Sequence, residues 1–261
     1  MAEAVPLLQL QAVRKVFDGV VAVDEVSLDI DTGSLCGLIG PNGAGKTTLF
    51  NCISGLHVPT AGQVLLEGEI LSGRPMHVIA RRGVARTFQN LQIFGSLSVL
   101  ENVLTGAHRH GHQGLLPTLF RLPGQRVEER ELRRRATEAL DFVGLADRAD
   151  EAAASLPPGQ QRLVEIARAL ASEPRLLLLD EPAAGLTTFE TETLAELISR
   201  IAATGLTTVL IEHDMSLVMA VCRRVAVLEQ GRLLADDTPA AIQANPQVIA
   251  AYLGADEEAE E

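Results

Sequence analysis

The chain has 261 residues, 47% hydrophobic and 21% charged, which is enough apolar material for a folded core and too little charge for a disordered chain. Aromatic residues make up 3%, tryptophan is absent and the net charge is −12, a composition that argues against a nucleic-acid binder built on basic patches or base stacking. No apolar run approaches the roughly 18 residues that cross a bilayer, and Met1–Leu10 has no basic stretch leading into an apolar one, so neither a membrane span nor a signal peptide is expected.

The expected elements begin with two half-exposed strands. In Leu8–Phe17 the apolar positions alternate through Leu8, Leu10 and Ala12, and in Val21–Ile30 through Val21, Val23 and, after a slip, Val26, Leu28 and Ile30. Ser34–Gly40 is a short apolar run that stops in glycine and reads as a buried strand, with a helix after it over Lys46–Leu56. Further strands are expected at Val64–Leu66, Val84–Thr87, Leu176–Asp180, Thr207–Ile211 and Val225–Glu229. Helices are expected at Gln160–Ser172, where Leu163, Ile166, Ala167 and Leu170 share a face, and at Thr188–Ala203. Strands alternating with helices predict an α/β fold with a largely parallel sheet.

From Val99 to Ala153 that rhythm is lost. A Gly/Pro-broken segment, His108–Gly124, precedes an Arg- and Glu-rich helix over Val127–Val143, and the stretch reads as a helical subdomain inserted at about 99–153. His108, His110 and His112 and the run Arg133–Arg135 read as solvated surface rather than as a metal site or a charged dock. Five of the last six residues are acidic, so residues 255–261 are expected to form a disordered tail. Cys36, Cys52 and Cys222 are odd in number and widely spaced, which predicts buried thiols and no disulfide framework.

The chemistry concentrates in two segments. Gly40-Pro-Asn-Gly-Ala-Gly-Lys-Thr47 matches the phosphate-loop pattern between a buried strand and a helix. Glycines there let backbone N–H groups turn inward around phosphates, the helix N-terminus adds partial positive charge, Lys46 reaches the outer phosphates and Thr47 offers its hydroxyl to Mg²⁺. Lysine occurs only at positions 15 and 46 of this Arg-rich chain, and position 46 suits a point charge better than a wide guanidinium fork. Leu176–Asp180 followed by Glu181 is an apolar strand ending in two carboxylates, the first placed for Mg²⁺ and the second for taking a proton from an attacking water.

Leu156-Pro-Pro-Gly-Gln-Gln161, continuing through Arg162–Arg168, resembles the signature segment of ABC-transporter ATPases; Val84–Gln89 resembles their Q-loop and Val209–His213 their switch histidine. The resemblance covers Leu8–Gly254. Within that family the chain is similar to the LivG-type ATPase subunits of branched-chain amino acid importers, on Arg86–Asn90, Glu181–Leu186, Ile211–Met215 and Asn245–Gly254. It implies one ABC ATPase domain over residues 8–254: a P-loop NTPase core with an antiparallel β subdomain and the inserted helical subdomain. It implies ATP and Mg²⁺ as cofactors. ATP would lie on Gly40, Pro41, Asn42, Gly43, Ala44, Gly45, Lys46, Thr47 and Thr48, with adenine stacked on Phe17; Mg²⁺ would meet Thr47, Gln89 and Asp180; Glu181, His213 and Gln89 would act in hydrolysis. Pro157, Pro158, Gly159 and Gln160 would close on the ATP of an opposite subunit in a head-to-tail homodimer or heterodimer. Further implied partners are integral membrane permease subunits and, through them, a solute-binding protein, which puts the chain at the cytoplasmic face of the membrane; nucleic acid is not among them.

Three positions depart from the family pattern. Pro157 and Pro158 stand where many relatives have Ser and Gly, removing a hydroxyl and an N–H from the signature. Thr187 stands where relatives have Asp or Asn, though with Glu190 it forms the sequence of a capping box. Importers of urea, short amides or aromatic acids use similar ATPases and are the alternative reading. A cytoplasmic ABC protein outside transport is disfavoured by the single set of motifs, and a module without turnover by the presence of Lys46, Asp180, Glu181 and His213.

Overall fold

The computed structural model describes residues 5–107 and 123–257, so His108, His110 and His112 lie outside the described residues. The chain divides into a first unit, Met1–Arg86 with Leu176–Glu261, and a second, Thr87–Arg175.

The first unit opens with β1 (Leu8–Phe17) and β2 (Val20–Ile30), which pair antiparallel with Leu8 opposite Ile30 and Leu10 opposite Leu28. The register then shifts. Ala12 takes a left-handed φ of 47° and donates its N–H to Ser27 Oγ at 3.0 Å, and Glu25 across from the irregularity has φ 53°. This bulge is the physical source of the slip in the apolar alternation between Val23 and Val26.

After β3 (Leu35–Ile39) comes α1 (Lys46–Ser54), whose Leu49, Phe50 and Ile53 are fully buried in a core shared with β1 and β2 side chains. β4 (Ala61–Leu66) and β5 (Glu69–Ile70) complete a four-stranded sheet of order β2-β1-β4-β5. α2 (Met76–Arg81) and β6 (Val84–Arg86) follow.

The second unit is helical: α3 (Val99–Ala107), α4 (Pro123–Phe142) and α5 (Pro158–Ala171) pack on one another. Ser98 and Glu101 cap α3 reciprocally, at 2.8 and 3.1 Å. The α3–α5 crossing is close enough to need a glycine, since a Cβ on Gly106 would sit 2.0 Å from the Arg168 carbonyl oxygen. On α4, within the Arg133–Arg135 run, Arg134 meets Glu131 and Glu138, each at 2.6 Å, and Arg135 meets Glu131 at 2.9 Å.

The chain returns to the first unit with β7 (Leu176–Asp180), α6 (Thr188–Ala203), β8 (Thr207–Ile211), α7 (Met215–Val221), β9 (Arg224–Glu229), β10 (Arg232–Asp237), α8 (Pro239–Gln243) and α9 (Pro246–Glu257). The second sheet has the order β10-β9-β3-β8-β7-β6, parallel except for β10. Every residue of β3, β7 and β8 is buried, as central parallel strands covered on both faces require. The C-terminal helix continues through Glu257, so residues 255–257, expected in a tail, are helical; the turn anchored by buried Val248 and Ala251 carries the helix on. All three cysteines are buried free thiols, with burial pushing Cys36 and Cys222 up to about 12 and Cys52 to about 11.

Candidate active site

Parallel pairing in register brings the chemistry-bearing residues to one edge of the sheet. Leu38 of β3 and Asp180 of β7 both align with Ile211 of β8, so Gly40, Asp180–Glu181 and Glu212–His213 leave their strands at the same level. The carboxyl edge of a parallel sheet, where the chain crosses from a central strand to an outer one, is where such folds bind ligands.

The phosphate loop follows β3. Gly45, the residue before α1, has φ 96°, and a Cβ there would lie 2.3 Å from the Ala22 carbonyl oxygen, so only glycine fits. No side chain caps α1, which leaves its first N–H groups free for an anion. Asn42 and Gly43 are exposed at the loop apex, Pro41 and Thr48 are half-buried, Ala44 is buried, and Thr47 is exposed on the first turn. Lys46 is only 6% exposed and donates to the carbonyl oxygens of Gly40 at 2.6 Å and Pro41 at 2.9 Å. Burial lowers the pKa of its ammonium, and Glu181 nearby acts the other way. From α9, the buried Tyr252 hydroxyl faces the Gly40 backbone; burial pushes it up to about 12.

The paired carboxylates have different surroundings. Asp180 is 2% exposed and takes an ion pair from Arg86 Nη2 to its Oδ2 at 2.8 Å. Glu181 has a left-handed φ of 47°, held by its N–H to the Ile211 carbonyl oxygen at 2.9 Å. Its Oε1 lies 3.4 Å from His213 Nδ1, with the imidazole half exposed.

Glu212, which sequence reasoning passed over, binds these loops together. It is 1% exposed and accepts from the backbone N–H of Ala183 at 2.7 Å and of His213 at 3.2 Å. Burial raises its pKa while those N–H donors lower it. One carboxylate thus fixes the main chain after Glu181 and the main chain of His213. Phe17, at the end of β1, is 37% exposed; its ring meets His57 edge-on at 5.0 Å, with the Lys15 ammonium 4.8 Å from its centroid.

Gln89 and the signature segment belong to the second unit. Gln89 is exposed on the loop after β6. α5 begins at Pro158, with Pro157 in an extended conformation before it and no side-chain cap; Gly159 is buried and Gln160 half-buried. The same helix grips the loop that carries Gln89. Arg162 donates to the carbonyl oxygens of Phe88 at 2.8 Å and Gln89 at 3.0 Å, Glu165 accepts from Phe88 N–H at 3.2 Å and from Arg162 at 3.0 Å, and Arg168 donates to the Gln92 carbonyl oxygen. Glu165 is 1% exposed, and burial raises its pKa against the two arginines and the Phe88 N–H. Asn102, fully buried, ties down the next turn by bonding Phe94 through both its N–H (2.8 Å) and its carbonyl oxygen (3.0 Å).

Among the described residues no three His, Cys, Asp or Glu side chains converge on a metal position. The Asp180 carboxylate and the Thr47 hydroxyl are hard oxygen donors at this edge, alongside the buried carboxylates of Glu181 and Glu212. That partial set fits Mg²⁺, which keeps several waters and takes its remaining oxygens from nucleotide phosphates.

Comparison with known proteins agrees with this geometry. The family model described as ABC transporter matches residues 23–184, and one described as branched-chain amino acid ATP-binding cassette transporter matches residues 232–258. The chain is 46% identical over 250 residues to the high-affinity branched-chain amino acid transport ATP-binding protein BraF of Pseudomonas aeruginosa, covering 95% of this chain and 98% of that protein. It is 45% identical, with the same coverage, to the corresponding LivG protein of Escherichia coli K12. A crystal structure of a nucleotide-free ATP-binding cassette from an ABC transporter superposes with a TM-score of 0.82 at 30% identity, over 94% of this chain and 98% of that one. By sequence and by fold alike, the chain belongs to the ABC transporter family, among its ATP-binding ATPases.

Proposed function

We propose that this chain hydrolyses Mg²⁺-ATP at the carboxyl edge of its parallel sheet and so powers the import of branched-chain amino acids. The observation that carries the solute class is the 46% identity, almost end to end, to a branched-chain amino acid transport ATP-binding protein. The match of residues 232–258 to a family described in the same terms supports it.

The γ-phosphate sits at the uncapped start of α1, where Lys46 exchanges the carbonyls of Gly40 and Pro41 for phosphate oxygens. Water attacks the γ-phosphorus, a new P–O bond forms, and the bond to the β,γ-bridging oxygen breaks, its electron pair leaving with ADP. Glu181 takes the proton of that water, and His213 keeps the carboxylate in line and faces the γ-phosphate. Bound Mg²⁺ would supply Lewis-acid charge to the phosphoryl oxygens. Thr47, Asp180 and Gln89 are the residues that would hold it. Adenine stacks on Phe17. Pro157–Gln160 of one subunit close on the nucleotide of the other, homodimer or heterodimer, and permease subunits hold the pair at the cytoplasmic face of the membrane.

Proteoliposomes containing the membrane subunits, the solute-binding protein and this chain test the proposal. Leucine uptake driven by ATP, and lost with Glu181→Gln, is the expected result. Uptake of urea or short amides with no uptake of leucine would overturn the solute, and equal ATP turnover by wild type and Glu181→Gln would overturn the chemistry.

A further inference from the structure

Arg86 ends β6, three residues before Gln89, yet its side chain turns back to the sheet edge and is 7% exposed. Its guanidinium joins two elements. Nη2 pairs with Asp180 Oδ2 at 2.8 Å, and Nη1 donates to Asn51 Oδ1 at 2.7 Å and Ser54 Oγ at 2.9 Å. The Phe50 ring lies 5.7 Å from its Cζ. Asn51 and Ser54 follow Thr47 at i+4 and i+7, so all three lie on one stripe of α1. The arginine therefore spans from the carboxylate of β7 to the helix stripe that begins at Thr47.

We propose that Arg86 is a positioning residue that sets the spacing between Thr47 and Asp180, two of the three residues offered to nucleotide-bound Mg²⁺. The inference rests on the reading above that these two residues face the metal. Mg²⁺ demands near-ideal octahedral geometry and tolerates little error in the placing of its donors. A rigid planar fork can hold a carboxylate with one arm and an amide and a hydroxyl with the other, which an ammonium cannot do in a fixed plane. Charge and position also make opposite demands here. As a cation near the metal, Arg86 opposes Mg²⁺, so its removal would tighten metal binding if charge alone mattered. As a spacer it favours Mg²⁺, and its loss weakens binding.

The test uses the full chain with a fluorescent N-methylanthraniloyl ATP, titrated with Mg²⁺, and again in EDTA; Mn²⁺ binding to the ATP complex is followed by electron paramagnetic resonance. Arg86→Lys and the milder Asn51→Ala are the variants. The expected result is a half-saturating metal concentration raised about 10-fold or more in Arg86→Lys, in the same direction but less in Asn51→Ala, with nucleotide binding in EDTA unchanged. Tighter metal binding, unchanged metal dependence in both variants, or an equal loss in EDTA overturns the proposal. Asp180→Asn separates the two layers. If it too leaves metal dependence unaltered, the metal reading fails and this inference falls with it; if it abolishes metal dependence while Arg86→Lys does not alter it, the inference alone fails.

Discussion

Two kinds of helix start coexist in this molecule. α6, α7 and α8 are closed by the side chains of Thr187, Asp214 and Thr238, which accept from backbone N–H groups of the first turn. α1 and α5 begin at Gly45 and Pro157 with no side-chain cap, as does the six-residue α2 at Pro75. An uncapped start leaves orphan donors that must be satisfied from outside. At α1 the proposed outside group is phosphate, with Lys46 beside it. At α5 the same device is present in reduced form, because Pro158 at its first position contributes no N–H and Pro157 no hydroxyl. Closed starts stabilise the fold; under the function proposed above, the open starts of α1 and α5 are the two left for an anion.

Substitutions at each kind of start break or sharpen this contrast. The largest effect is expected next to the open end of α1, where Glu181→Gln lowers steady-state phosphate release by about 10²–10⁴-fold while ATP still binds. Lys46→Ala is expected to cost about 10²–10³-fold in turnover, and Lys46→Arg not to restore it, since a planar fork replaces the compact point charge that meets the Gly40 and Pro41 carbonyls. Native turnover in Lys46→Ala would remove α1 as the phosphate seat.

At α5 the sign reverses. Pro157→Ser with Pro158→Gly adds a hydroxyl and two backbone N–H groups, each hydrogen bond formed worth about 0.5–1.5 kcal/mol, so ATP-dependent dimerisation followed by light scattering tightens. Unchanged dimerisation makes the prolines packing choices only.

The smallest effect is at a closed start. Hydrogen bonding to Ser216, then to backbone N–H groups of α7, holds the Asp214 carboxyl below its ordinary 3.8. A depressed folded-state value means stabilisation that is complete above the unfolded value and lost as pH falls through the folded one. Asp214→Ala is therefore expected to cost about 0.5–1 kcal/mol at pH 7, measured by urea unfolding, with the gap from wild type closing below about pH 4. A gap that persists in acid assigns the loss to something other than the ionised cap.

Much of this contrast was legible in the sequence. The phosphate loop, the Asp180–Glu181 pair and the Thr187–Glu190 box are local patterns, and β3, β7 and β8 announce themselves as apolar runs because both their faces are buried. β10 was missed because this antiparallel edge strand is only partly covered and shows no clean alternation, and α2 because Ile79 is its one buried residue. The second unit takes in Thr87 and the whole of α5, since α5 packs on α3 and α4, whereas composition marks only the loss of strand rhythm after Val99. Arg86, Glu212 and Arg162 were silent for another reason. Their partners lie up to 94 residues away, and an arginine in a chain with so many carries no signal of its own.

The grip of α5 on the loop bearing Gln89 is made to main-chain atoms: the N–H and carbonyl of Phe88 and the carbonyls of Gln89 and Gln92. Backbone atoms are the same whatever residues the loop carries. The side chains of this segment can thus be rewritten while its mechanical attachment to α5 passes through unaltered.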